Sequence, residues 1–298
     1  MTTSDLSGSM TAEDDNALLA AVVRWQDVGD AEIAYRVVGS GPPLMLLHGY
    51  PLNGLTFRHI VPALARRFTC YVLDLPGAGQ SRWTKKTDFN FEAQAQSLKV
   101  FVDRLGWTRY ATLSHDTGGT IARRLAILDA ARTDRIVVIG TEIPNHRPPF
   151  IRLFQFRSRL PGANANFRSS MASREFRRSA MGFGGVFADL DHIDGEFFDL
   201  LVKPMVDSAR ERLGQLYRLR GIDWKVVDGL AKGHAMITAK VLLIWGADDP
   251  VFPLAEAKAM ARQFRTEPRF AVIPGAKTFP HEDFPAAVVD ACLPFLLG

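Results

Sequence analysis

Asp116 is the residue best placed to do chemistry. It stands in the run Leu113-Ser114-His115-Asp116-Thr117-Gly118-Gly119, after apolar residues of strand type and before a segment with helical spacing. Small residues at Ser114, Gly118 and Gly119 suit a sharp strand-to-helix turn, in which the backbone passes close to itself and the central side chain is thrust outward. A carboxylate in that place attacks saturated carbon. It opens an epoxide or displaces halide and is left as an alkyl ester on the protein, whereas a serine there would suit acyl transfer. Hydrolysis of the ester then needs a base to activate water and N–H donors for the oxyanion that forms.

The elements around this turn alternate. Short apolar runs at residues 44–47, 70–73, 110–113 and 135–139 read as strands buried on both faces of a parallel sheet. Segments with helical spacing at residues 55–68, 91–105 and 117–131 lie between them. Residues 31–38 alternate polar and apolar like a half-buried strand, and a hairpin partner is expected ahead of it. From about residue 144 to 238 the alternation gives way to an Arg-, Phe- and Gly-rich stretch with helical segments such as residues 197–219. It resumes with strands at residues 240–245 and 269–273 and helices at residues 253–264 and 285–297. The expected α/β architecture is a doubly wound, mostly parallel sheet with an inserted helical cap. Its parts are an N-terminal tail at residues 1–24, a core at 25–143 and 238–298, and a cap at 144–237. A cap inserted there should roof a pocket at the carboxyl ends of the strands.

Composition narrows the class. With 298 residues, 47% of them hydrophobic and 23% charged, the chain has the make-up of a globular enzyme, not of a disordered or fibrous protein. The formal charge of +4 raises the question of nucleic acid. The basic cluster is Arg147, Arg152, Arg157, Arg159, Arg168, Arg174, Arg177 and Arg178, interleaved with phenylalanines, which reads as an amphipathic helical cover with its arginines in water. Cys70 and Cys292 sit in apolar runs and read as buried free thiols. No leader-like or spanning apolar stretch is seen, so a cytoplasmic protein is expected, a monomer or homodimer acting on a small molecule without nucleic acid or membrane. No ligand cluster with metal spacing and no dinucleotide loop are found, so neither metal nor organic cofactor is expected.

The turn with aspartate at its tip resembles that of the α/β-hydrolase superfamily, in the branch of epoxide hydrolases, haloalkane dehalogenases and fluoroacetate dehalogenases. His48-Gly49-Tyr50-Pro51 resembles the family's oxyanion-side loop, and Asp74-Leu75-Pro76-Gly77-Ala78-Gly79-Gln80-Ser81 its Asp-x-x-Gly-x-Gly-x-Ser turn. Trp245-Gly246-Ala247-Asp248-Asp249-Pro250 resembles the strand end that supplies the acid of the triad. The resemblance implies Asp116 as nucleophile, the backbone N–H groups of Tyr50 and Thr117 as oxyanion donors, and Asp249 as acid, with Glu142 at the end of the preceding strand as the alternative.

The chain departs from the family where the base belongs. An ungapped match to Pro-Gly-x-x-His-Phe over Pro274 to Phe279 puts Thr278 in place of the histidine, and threonine cannot take a proton at neutral pH. His281, three residues on, is the candidate replacement. His115 should point away from Asp116, His48 should support its own loop, and His146, His192 and His234 fall in or beside the cap. Thr117 and Tyr50 stand where haloalkane dehalogenases keep halide donors, and Thr117 and Thr120 where fluoroacetate dehalogenases keep arginines. Cap residues Tyr217, as an acid toward an epoxide, and Trp224, as a lining residue, complete the expected site. The resulting expectation is an epoxide hydrolase-like enzyme for a small apolar electrophile. A non-hydrolytic lyase or cyclase, a silent ligand-binding member, and a dehalogenase are the alternatives.

Overall fold

The computed structural model describes residues 17–298, so most of the expected tail lies outside the described residues. A nine-stranded sheet runs in the order β1-β2-β4-β3-β6-β7-β8-β9, with β5 pairing β2. The strands are β1 Arg24–Asp27, β2 Ala31–Val38, β3 Pro43–Leu47, β4 Thr69–Asp74, β5 Arg82–Trp83, β6 Tyr110–His115, β7 Thr133–Ile139, β8 Lys240–Gly246 and β9 Arg269–Ile273. The hairpin partner expected ahead of residue 31 is β1, antiparallel to β2. From β4 through β9 every neighbouring pair is parallel.

Strand periodicity divides the core into layers. Leu44 and Leu46 face one way, toward Val61 and Leu64 and the closing helix Pro285–Leu297 with its Val288, Cys292 and Phe295. Met45 and Leu47 face the other way, toward Leu98 and Phe101 of helix Phe91–Arg104 and Ile121 and Leu125 of helix Thr117–Leu128. Both faces of the central strands are covered, which is why they read as continuous apolar runs. Both cysteines are free and buried in the first of these layers.

Between β7 and β8 the regular elements are all helical, among them Pro149–Arg157, Ala163–Ala172, Ala209–Arg220 and Trp224–Gly233. This insertion has its own apolar cluster, built from Phe183, Phe187, Phe197, Leu201 and Met205, which closes onto Leu52 and Phe279 of the loops at the strand ends. Four of the eight arginines of the basic stretch pair with carboxylates of the same insertion. Arg174 and Arg178 reach Asp194 at 2.9 and 2.8 Å, Arg147 pairs with Asp228, and Arg177 is buried. Among the described residues, no helix is long and apolar enough to cross a membrane, and no group of three or more His, Cys, Asp or Glu side chains is gathered as a metal site would need.

Candidate active site

Asp116 follows β6 directly and caps helix Thr117–Leu128 with φ +52° and ψ −126°, a conformation that a side-chain-bearing residue holds only when its surroundings fix it. The surroundings do so. Its N–H donates to the Gly140 carbonyl at 2.8 Å, and Thr141 Oγ1 donates to its own carbonyl at 2.9 Å, so the end of β7 clamps the turn from one side. Gly118 closes it from the other, since a Cβ there would lie 2.2 Å from the Leu47 carbonyl oxygen of β3.

The carboxylate is held at one oxygen. Asp116 Oδ1 accepts the Tyr50 N–H at 2.8 Å, and among the described residues nothing bonds Oδ2. Thr117 supplies the first N–H of the following helix, one of the four that no helical carbonyl takes up. The Tyr50 loop is built for this. His48 is fully buried, its Nδ1–H donating to the Gly49 carbonyl at 2.8 Å and its Nε2 accepting the Leu75 N–H at 2.9 Å. Burial holds that ring's pKa well below the usual histidine range, so it is neutral, as the supporting role expected for it requires.

Asp116, Tyr50, Thr117, Glu142 and Thr278 line one end of a cavity of about 860 Å³, whose remaining walls are mostly phenylalanine and aliphatic side chains of the insertion. Trp224 lines it too, its Nε1–H held by Gln155 Oε1 at 3.0 Å. Two expected residues are not brought there. Tyr217 packs its ring against Trp83 and Phe89, both at 5.5 Å between centroids, and lies outside the lining. His281 is fully buried in the short helix Pro280–Asp283, behind the cavity wall. Its Nε2 lies 2.9 Å from Thr56 Oγ1, and that hydroxyl donates to Glu282 Oε1 at 2.7 Å, so the imidazole must be the donor to Thr56. Arg58 pairs with Glu282 at 3.0 Å and completes a network that holds the ring outside the cavity lining.

The place of the missing histidine is instead occupied by a hydroxyl. Thr278 Oγ1 donates to Asp249 Oδ1 at 2.8 Å, and the same oxygen accepts the N–H groups of Val251 and Phe252 at 2.8 and 3.0 Å. Asp249 Oδ2 is buried with no partner among the described residues. Burial pushes the Asp249 carboxyl up to about 6, against the pull of those three donors. Asp249 thus sits beside its expected neighbour in the loop after β9, but that neighbour cannot shuttle a proton.

Glu142 is the second carboxylate facing the cavity. Its Oε2 accepts the Thr120 hydroxyl at 2.6 Å. Burial first, and then the Asp116 charge, raise it to about 7, while Thr120 and Arg123 pull the other way. Arg123, on helix Thr117–Leu128, is fully buried behind it. Its guanidinium donates to Thr120 Oγ1, Thr141 Oγ1 and the Glu142 carbonyl at 2.9, 2.9 and 2.8 Å, and to His234 Nε2 at 3.1 Å. It faces these groups and not the cavity. Arg124 pairs with Glu92. Sequence reasoning had no signal for this buried cation, because charged residues at helical spacing are ordinarily solvated.

The insertion is fastened to the same loops. On helix Ala209–Arg220, Arg218 donates to the Gly49 carbonyl at 3.3 Å, and Glu211 accepts the Gly79 N–H at 2.8 Å. Burial raises Glu211 from 4.5 to about 7. The folded protein therefore binds this proton more tightly than the unfolded chain does, and stability falls as pH rises from about 4.5 to about 7. Glu211→Gln keeps the acceptor and removes the charge. It should raise unfolding stability at pH 8 by about 2 kcal/mol, allowing for partial solvent screening, with little gain at pH 4.5, as read by denaturant titration at the two pH values.

The alpha/beta hydrolase fold family matches residues 42–285 of the chain. The chain belongs to this family. Relatives of this α/β-hydrolase include haloalkane dehalogenase 2 of Mycobacterium tuberculosis, 36% identical over 119 residues that cover 39% of this chain and 41% of that one. Soluble epoxide hydrolase of Corynebacterium sp. is 34% identical over 105 residues, covering 35% and 36%. A solved α/β-hydrolase fold protein from Burkholderia ambifaria superposes with a TM-score of 0.75 at 23% identity, over 92% of this chain and all of that one. The resemblance drawn from the four motifs is thereby shown at the level of the superfamily and of its dehalogenase and epoxide hydrolase branch.

Proposed function

We propose that this α/β-hydrolase uses Asp116 as a nucleophile toward lipophilic epoxides, and hydrolyses them through an ester on that residue. The observation that carries the reading is Asp116 itself, fixed at φ +52° with one oxygen on the Tyr50 N–H and the other unbonded at the wall of a large apolar cavity. A carboxylate with one oxygen held and one unbonded is oriented for attack, and the N–H that holds it is in place for the oxyanion of the second step. About 860 Å³ is room for a drug-sized lipophile. Thr117 beside the nucleophile offers no ring N–H to a halide, and the one cation lining the cavity among the described residues is Arg157 of the insertion, so the lining favours an epoxide over a halide or a haloacid. The relatives named above are consistent with this chemistry.

The second reading is a member that binds a ligand or isomerises it without hydrolysis. Thr278 beside Asp249 supports it, because the usual water-activating imidazole has no counterpart there. Intact-protein mass spectrometry separates the two after incubation with long-chain epoxides and alkyl bromides, with peptide mapping of any adduct. An ester on the Asp116 peptide supports the nucleophile, and diol formation supports hydrolysis. Neither adduct nor product supports the second reading.

A further inference from the structure

We infer that Glu142 is the acid and base of both halves of the reaction, in the place of the absent histidine. The inference rests on Asp116 being the nucleophile. Parallel pairing of β6 with β7 sets His115 against Ile139, so the three residues after β7 run alongside the turn that carries Asp116. The Asp116 N–H on the Gly140 carbonyl and the Thr141 hydroxyl on the Asp116 carbonyl fix that juxtaposition. Glu142 follows and lines the same cavity as Asp116. Its Oε2 is oriented by Thr120, which is itself held by the buried Arg123. The other candidates are accounted for. Thr278 has no proton to trade at neutral pH, His281 is held behind the wall by Thr56, and Tyr217 lies outside the lining.

In the first half, an Asp116 oxygen forms a bond to an epoxide carbon, the carbon–oxygen bond of the ring breaks, and the Glu142 carboxylic acid gives its proton to the departing oxygen. In the second half, the Glu142 carboxylate takes a proton from water as the water oxygen bonds to Cγ of Asp116. The oxyanion that results is met by the N–H groups of Tyr50 and Thr117. Its collapse breaks the bond between Cγ and the Asp116 oxygen that joined the substrate carbon, so that oxygen leaves with the product, and the alkoxide takes up the proton left on the new carboxyl. Asp116 ends as carboxylate and Glu142 as acid, with water added to the epoxide. Burial and the neighbouring Asp116 raise the Glu142 carboxyl toward neutrality, as a group that gives and takes a proton in turn requires.

Rapid-quench mass spectrometry of the Asp116 ester tests this with Glu142→Gln, using a long-chain epoxide and the 1-bromoalkane of the same length. Bromide departs without a proton, so the variant should alkylate from the bromide within about 3-fold of wild type, whereas alkylation from the epoxide should slow at least 10-fold, and the ester from either should clear about 100-fold more slowly. Glu142→Ala with added formate should regain clearance at least 10-fold, a rescue that a merely structural role would not give. Clearance at the wild-type rate in Glu142→Gln overturns the assignment and leaves the nucleophile standing. So does a wild-type ester that never clears. The absence of any Asp116 ester in wild type, without product, overturns the nucleophile and this assignment with it.

Discussion

Asp116→Asn is expected to lose epoxide turnover by about 10⁴-fold or more, with no ester formed on the 116 peptide. The amide is uncharged and a poor nucleophile toward saturated carbon, so the first bond is not made. The change should leave the fold intact. Asparagine tolerates the left-handed region about as well as aspartate, and its Oδ1 can still accept the Tyr50 N–H that Asp116 accepts at 2.8 Å. A melting temperature within a few degrees of wild type, measured alongside the loss of diol formation, would place the defect in chemistry. Turnover within 10-fold of wild type would mean that Asp116 is not the nucleophile.

Gly118→Ala should have the largest effect on folding. The added Cβ would lie 2.2 Å from the Leu47 carbonyl oxygen and 2.8 Å from that of His48, both backbone atoms at the end of a central buried strand. Neither can give way without moving the sheet or the helix that carries the nucleophile. Overpacking that side chains absorb costs about 1 to 3 kcal/mol, and a clash with backbone exceeds it, so a loss above about 3 kcal/mol and a melting temperature lower by roughly 6 °C or more are expected. Thermal melting checks this. An unchanged midpoint would show that the close approach of helix and strand is not tight.

The same close approach explains why the turn was legible in the sequence. Gly118 lets the helix close on β3 and Gly119 lets it close on Val138 and Thr141 at the end of β7, so the pair marks the place, and the apolar runs on either side mark the strands. The departure at Thr278 was equally visible, because the pattern around it is short and ungapped, and Thr278 does stand next to Asp249. What was not legible depended on partners distant in sequence. His281 is three residues from the expected base, within reach of a loop shift, but Thr56, Glu282 and Arg58 hold it in a helical turn outside the cavity lining. Tyr217 shares a helix with Leu216 and Leu219, both of which line the cavity, while its own ring turns to Trp83 and Phe89. Spacing located the helix without showing how it is rotated over the cavity. For Glu142 the resemblance implies only an alternative acid at a strand end, and sequence does not show that it lines the same cavity as Asp116, or that Arg123 is buried behind it.

The central claim is an ester between Asp116 and the substrate. It is tested most directly by one turnover of a long-chain epoxide in H₂¹⁸O, with the protein in molar excess. Attack by Asp116 gives an unlabelled diol, whose new oxygen comes from Asp116, together with a 2 Da gain on the peptide that carries Asp116. Labelled diol from that first turnover, with the peptide unchanged in mass, would show that water attacks the epoxide directly and would contradict the account.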